Sequence, residues 1–237
     1  MVLSAQLAVL LLASCVQGVT GFGFAVVSVP LLAAIVGLDQ AIAISSILGV
    51  CTSAEIARCS GGDVRRPVVR SVLTGTLLGL PVGAAVVLLV DTRSLTVVTG
   101  VVVLAVSIAL LRGWEVPCDG PFGQRVSGVL SGALGACTGM TGPPVVLALR
   151  GAELEPAETR ATLAVTLGTA GVLVLALRAV TGHVPVAALP VAAAGLPLVW
   201  MGNRCGRWVF TKATPAAYST AVVALLGLSG VVAIIPR

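Results

Sequence analysis

The sequence predicts an all-α polytopic membrane protein built as two inverted repeats, each a broken or re-entrant helix followed by three transmembrane helices. Three observations predict it. First, 57% of the 237 residues are apolar and only 10% are charged, whereas a soluble domain carries about a quarter charged residues. Second, seven runs contain no Asp, Glu, Lys or Arg: 2–38, 71–90, 94–111, 126–149, 161–177, 183–203 and 213–236. Most reach the ~20 residues that cross a bilayer, and so many cannot share one water-soluble core in a chain of this size. Third, a glycine-rich phrase occurs twice, 118 residues apart, as Gly18-Val-Thr-Gly21-Phe-Gly23 and Gly135-Ala-Cys-Thr-Gly139-Met-Thr-Gly142-Pro143-Pro144. Matching helix breaks in two halves of a membrane protein point to a transporter's binding site.

The first element covers 2–37 and is broken near 18–23. As one helix, its 36 residues would extend about 54 Å against a hydrocarbon core of about 30 Å. It therefore either tilts strongly or turns back on itself. Leu12-Ala-Ser-Cys15 looks like a lipoprotein cleavage box, but no basic residue precedes the apolar run and the run continues past Cys15. It reads as a first membrane segment rather than a removed signal. The second helix covers 39–58, with Asp39 as a cap at its start. The third covers 67–90 and the fourth 94–112. A Pro- and Gly-rich connection over 113–121 then divides the chain into a repeat over 1–112 and a repeat over 122–237. The fifth element covers 122–150, broken near 138–142. The sixth covers 158–178, the seventh 184–202 and the eighth 214–235. Trp208-Val-Phe210 with Lys212 reads as an amphipathic surface turn, and Trp114, Trp200 and Trp208 fall near the interfaces where aromatic residues collect.

Charge placement selects the topology. If both broken elements turn back without crossing, and the Arg65-Arg66 connection is cytoplasmic, eleven of the fourteen basic residues lie inside, leaving only Arg93, Arg178 and Arg237 outside. If the fifth element crosses instead, the split becomes eight to six. The excess of Lys and Arg in cytoplasmic loops favours the hairpin. Three full crossings per half then invert the second half, a common plan for secondary transporters, and put both termini on the outer face. The formal charge of +5 has the same origin, and no basic stripe interleaved with aromatics suggests nucleic acid. Six cysteines and one histidine show no metal-ligand spacing, and no cofactor is implied.

The breaks carry the candidate site. Bare backbone at membrane depth is tolerated only where protein or a wet cavity covers it, so both breaks face inward. Each new half-helix begins with amide groups that lack internal partners and carry partial positive charge. Thr141 or Gly142 can cap the second, with Pro143 and Pro144 at its first positions, where N–H groups have no intrahelical partner to lose. Glycine lets the backbone approach a ligand. Two such ends meeting at the midplane form an anion site without buried Lys or Arg. The candidate substrate-binding residues are Gln17, Thr20, Gly21, Phe22, Gly23, Thr138, Gly139, Thr141, Gly142 and Pro143. The bland alternative is that these glycines only let helices pack closely.

Gly18, Gly21, Gly23 and Pro30, with Gly132, Gly135, Gly139, Gly142, Pro143 and Pro144 and the later Arg160-Ala161-Thr162, resemble the TauE/SafE sulfite-exporter-like permeases. The likeness runs from about residue 4 to 235. It implies a multi-pass protein of the cell inner membrane that passes small sulfur-containing or organic anions, such as sulfite, sulfonates or sulfoacetate.

Other polar residues admit two readings each. Glu55 and Arg58, one turn apart, are either an interfacial pair or mark a proton carrier. Arg150 and Arg160 flank Glu153, Glu155 and Glu158 in a solvated loop, from which Arg160 could line a cytoplasmic mouth. Arg178 is expected to snorkel at the outer surface. Ser45, Ser46, Ser53, Thr162, Thr166 and Thr169 either line a polar path or satisfy nearby backbone. His183 sits in a short outer connection. The leading expectation is a secondary transporter of a small anionic substrate in membrane lipid, coupled to a proton or sodium ion and compatible with a homodimer. An anion channel, an intramembrane enzyme and a non-transporting membrane scaffold are the alternatives. The enzyme lacks a nucleophile–base pair, and the scaffold would not need duplicated breaks.

Overall fold

The computed structural model describes residues 2–59, 63–90, 94, 97, 101, 120–150 and 154–212. Among the described residues the helices are α1 (Val2–Thr20), α2 (Phe24–Val36), α3 (Leu38–Cys59), α4 (Arg66–Leu89), α5 (Pro121–Thr138), α6 (Gly142–Arg150), α7 (Pro156–Val180) and α8 (Ala188–Lys212). The helix expected over 94–112, apart from three of its residues, lies outside the described residues. So do the connection over 113–119, with Trp114, and the helix expected over 214–235. Both expected breaks are present, between α1 and α2 and between α5 and α6.

Among the described residues, four helical stretches are long and apolar enough to cross a bilayer: Val2–Thr20, Leu38–Cys59, Arg66–Leu89 and Ala157–Val180. Leu77, Leu78, Leu88 and Leu89 are exposed on α4, which suits a helix whose neighbours are lipid tails as apolar as leucine. The chain is a polytopic, all-α membrane protein.

The arms around each break are unequal. At 1.5 Å per residue, α1 is about 28 Å long and α5 about 27 Å, against about 20 Å for α2 and 13 Å for α6. The first arm at each break thus nearly matches the hydrocarbon thickness, and only the second is a short half-helix. Two boundaries also differ from expectation. α8 begins at Ala188 because a turn precedes it, in which the amides of Ala188 and Leu189 bond the carbonyls of Pro185 and Val186. It continues to Lys212, so Trp208-Val-Phe210 belongs to its last turns and is not a separate surface turn. Along this extension the Arg204 guanidinium lies 4.5 Å over the Trp200 ring.

Small residues set the packing. A Cβ added at Gly75, Gly79 or Gly83 of α4 would collide with the carbonyl of Arg125, Val129 or Ala133 of α5, respectively. The order rises together on both helices, so α4 and α5 run parallel, backbone against backbone, as small-residue stripes permit. The same holds for α1 and α8: Leu10 meets Gly195, Ser14 meets Gly202 and Cys15 meets Gly206. Between α3 and α7 the order is opposite. Val50 meets Gly171 and Ser53 meets Gly168, while Asp39 at the start of α3 reaches Arg178 near the end of α7. These two helices cross antiparallel in the centre. Leu10, Val27, Val29, Leu32, Ile42, Ile44 and Leu48 are fully buried in a core where α1, α2 and α3 meet.

Candidate functional site

The two breaks share one local chemistry. α1 ends at Thr20, whose hydroxyl donates to the Val16 carbonyl at 2.9 Å and accepts the Phe22 amide at 3.1 Å. It also touches the Phe22 carbonyl. α5 ends at Thr138, whose hydroxyl donates to the Leu134 carbonyl at 2.8 Å and accepts the Met140 amide at 3.3 Å. Each threonine therefore closes the helix behind it and caps the chain ahead. The next residue must take a left-handed conformation to leave the helix axis. Gly21 has φ 79° and Gly139 has φ 73°, angles that cost a side-chain-bearing residue strain.

Helix ends leave carbonyls without partners, and arginines meet one at each break. The Arg160 Nη2 donates to the Gly18 carbonyl at 3.1 Å. The Arg178 Nη1 donates to the Ala136 carbonyl at 3.2 Å. Gly18 and Ala136 hold corresponding places before Thr20 and Thr138, yet both arginines come from α7. Arg160, expected at the edge of a solvated loop, instead sits against the first break. Arg178 does not snorkel. It is 3% exposed and bonded to Asp39 at 2.5 Å, because an unmet carbonyl and a carboxylate both lie within reach inside the protein. Asp39 lies within the first turn of α3 and serves this pair rather than acting as a terminal cap.

The starts of α2 and α6 lie close to the crossing of α3 and α7. Phe24 packs 3.7 Å from the position a Cβ would take at Gly49, and Leu167 lies 4.0 Å from the corresponding position at Gly142. The residue that precedes α2 is Gly23, which has no side chain to cap it. Between these ends is a cavity of about 50 Å³, with Gln17, Phe22, Gly23, Ser45, Ser46, Gly49, Ser53, Gly139, Thr141, Gly142, Leu167 and Gly171 in its wall. One water needs roughly 10–15 Å³ of such space, so the cavity suits a few waters or a small ion.

Of the candidate residues, Gln17, Phe22, Gly23, Gly139, Thr141 and Gly142 stand in the wall of this cavity. Thr20, Gly21, Thr138 and Pro143 are not in that wall. The two threonines and Gly21 shape the breaks, and Pro143 follows the first residue of α6. Gln17 is held by α3: its carbonyl accepts from Thr52 Oγ1 at 2.6 Å, and its amide donates to Ser53 Oγ at 3.4 Å. Ser45 hydrogen-bonds Ser28 of α2 at 2.8 Å. Thr166 and Thr169 donate to carbonyls one turn back, whereas Thr162 accepts the Arg65 amide from 97 residues away. Gly49, Leu167, Gly171 and Val174 of the cavity wall carried no signal in the sequence beyond small size or apolarity. Only the helix crossing places them there.

Glu55 finds partners far away in sequence. It accepts from Arg207 at 2.9 Å and from Asn203 at 3.0 Å, both on α8. The expected i,i+3 pair with Arg58 gives way because α3 and α8 present these groups to each other at the same depth.

The TauE/SafE sulfite exporter family model matches residues 6–233. The chain belongs to this family. The "Probable sulfite/organosulfonate exporter TauE" of Cupriavidus necator is 25% identical over 224 residues, covering 90% of this chain and 87% of that protein. No solved structure matches the chain significantly. Membership in TauE/SafE places the protein among multi-pass inner-membrane transporters rather than enzymes.

Proposed function

We propose that this TauE/SafE protein is a secondary transporter of small anions, with sulfite and organosulfonates as its substrate class. The anion binds in the cavity between the two breaks. One observation carries the reading: two helix interruptions, 118 residues apart in sequence, open onto the same small cavity. The starts of α2 and α6 offer amide groups and positive dipole ends. Gln17, Ser45, Ser46, Ser53 and Thr141 add polar groups. The name of the Cupriavidus necator relative supports the sulfur oxoanion class.

The same reading makes residues 1–112 and 122–237 inverted repeats joined by 113–121. The contacts that recur at the 118-residue offset support it. Phe24 on Gly49 corresponds to Gly142 by Leu167, and the Val50–Gly171 contact corresponds to Gly168–Ser53. The parallel pairs α1 with α8 and α4 with α5 are also each other's counterparts. Such repeats rock about a fixed site to give alternating access.

The test is flux in proteoliposomes carrying the full chain, with sulfite, simple sulfonates and carboxylates under imposed proton or sodium gradients. Sulfite or a sulfonate should move faster than in empty liposomes, and Gln17→Leu should slow it. Folded protein that moves none of them would sink the substrate assignment. Flux that never saturates would favour an anion channel.

A further inference from the structure

The exposed side of α8 carries a charge that no described carboxylate neutralises. α3 and α8 run parallel, because Leu48 meets Gly195 while Glu55, farther along, meets Asn203 and Arg207. Both helices therefore finish at the same end of the molecule, where α3 closes on Arg58 in its last turn. Clustered arginines belong on the cytoplasmic side. Glu55 is four residues from the end of α3 at Cys59. Arg207 beside it thus lies about 6 Å short of that end, and Arg204, one turn earlier on α8, about 10 Å short of it.

The two arginines differ in their partners. Arg207 is paired with Glu55. Arg204 is exposed, and among the described residues no hydrogen bond or ion pair engages it. Its guanidinium stacks over the Trp200 ring at 4.5 Å. Stacking uses the flat face of the group and leaves its in-plane N–H donors open to oxygens. Side chains on a helix lean toward its start, and this one is turned back onto Trp200 instead of reaching out past the helix end, as a snorkelling arginine would. Trp200, Arg204 and Trp208 follow at four-residue spacing and form one stripe. Trp200 is 52% and Trp208 59% exposed, so the arginine stands between two open indoles, the side chains that collect at headgroup level. Leu196, Pro197 and Met201, nearer the bilayer centre, are exposed and apolar. An unneutralised guanidinium at this depth is costly. A phosphate anchored in the bilayer by its own acyl chains is the anion that reaches it, and two of its oxygens match the guanidinium fork.

We propose that this stripe of α8 binds the phosphate of an anionic phospholipid. Arg204 makes the charged contact, the indoles of Trp200 and Trp208 flank the headgroup, and an acyl chain runs along Leu196, Pro197 and Met201. A net negative headgroup is preferred over a zwitterionic one because Arg207 is already neutralised and Arg204 is not. One basic group at a membrane surface is worth ~1 kcal/mol toward anionic lipid, or about fivefold in binding. The site concerns lipid alone and does not rest on the transport reading.

The test is tryptophan quenching in phosphatidylcholine bilayers, with the full chain carrying Trp114→Phe so that Trp200 and Trp208 are the tryptophans that remain. Brominated phosphatidylglycerol and brominated phosphatidylcholine are compared at equal fractions, which gives a relative binding constant within each variant. The expected ratio is about five in favour of phosphatidylglycerol. Arg204→Gln, which removes no hydrogen bond within the protein, should bring it near one. Arg66→Gln removes another exposed charge, at the start of α4, and should leave the ratio unchanged. A ratio near one in the parent chain, no change in Arg204→Gln, or an equal fall in Arg66→Gln overturns the proposal. Weak quenching by both lipids also overturns it, because protein rather than lipid would then cover this face. Inorganic phosphate at constant ionic strength should not reverse the quenching; reversal would give the site to a soluble anion and overturn the lipid assignment.

Discussion

Replacing Thr138 by valine tests whether the threonines lock the breaks or contact the anion. Valine has nearly the same shape but no hydroxyl. The change removes the bond to the Leu134 carbonyl at 2.8 Å and the acceptor for the Met140 amide at 3.3 Å. Met140 is fully buried, so water does not replace that acceptor. A buried N–H left unmet costs about 1–3 kcal/mol, and the lost donation to Leu134 adds a smaller amount. The expected loss is about 2 kcal/mol in all, which lowers a melting temperature by roughly 4–8 °C for a chain of this size. Thr138→Ser keeps the hydroxyl and should stay within about 0.5 kcal/mol of the original. The assay pairs thermal melting in nanodiscs with anion flux in proteoliposomes. Thr20→Val should behave alike, because Thr20 makes the matching bonds to Val16 and Phe22. If Thr138→Val melts with the original protein while flux collapses, the lock reasoning is refuted and a ligand role takes its place. Loss of stability in the serine variant equal to that of valine would refute it as well.

Two neighbouring glycines should separate fold from function. A Cβ at Gly142 meets nothing nearer than Leu167 Cδ1 at 4.0 Å, so Gly142→Ala should melt at or above the original temperature and reduce flux by narrowing the cavity. Gly139→Ala combines φ 73° with an Ile42 atom 2.8 Å from the new Cβ, and should lower the melting temperature by the equivalent of about 1–3 kcal/mol. Gly79→Ala should also destabilise, while Leu78→Ala should do so far less because Leu78 is 68% exposed; equal melting of the two would contradict the backbone packing of α4 on α5. Arg207→Met leaves Glu55 with Asn203 alone. With side chains 27% and 17% exposed, its cost should fall below the 3–5 kcal/mol of a fully buried pair, near about 1–3 kcal/mol. Adding Glu55→Gln should recover most of it in a double-mutant cycle.

Much of the local structure was legible from residue types. Charge-free runs marked the helices because a charged side chain is expensive at membrane depth. Glycine clusters marked the breaks because Gly21 and Gly139 adopt backbone angles that other residues avoid. Within the candidate site, Gln17, Gly23, Thr141 and Gly142 were named from their nearness to those breaks. Thr20 and Thr138 were named for their hydroxyls, but the structure engages those hydroxyls with backbone one turn behind and two residues ahead. A hydroxyl beside a helix end satisfies local groups before distant ones, and sequence spacing does not distinguish the two uses. The end of α8 was read short because its arginines looked like a loop, whereas Trp200 and Glu55 supply them with partners.

What the sequence by itself determined is the class of protein, the places where its helices stop, and the family to which it belongs. Those properties follow from composition and from contacts between residues a few positions apart. Only the tertiary structure decided which groups meet. Arg160 and Arg178 reach carbonyls 142 and 42 residues away, and Glu55 meets Arg207 across 152 residues. The stripes of small residues on α4, α5 and α8 let backbones approach, and that approach sets which polar groups share a depth. Burial then forces each of them to find a partner. The pairing is a property of the helix crossings, and no local pattern encodes it.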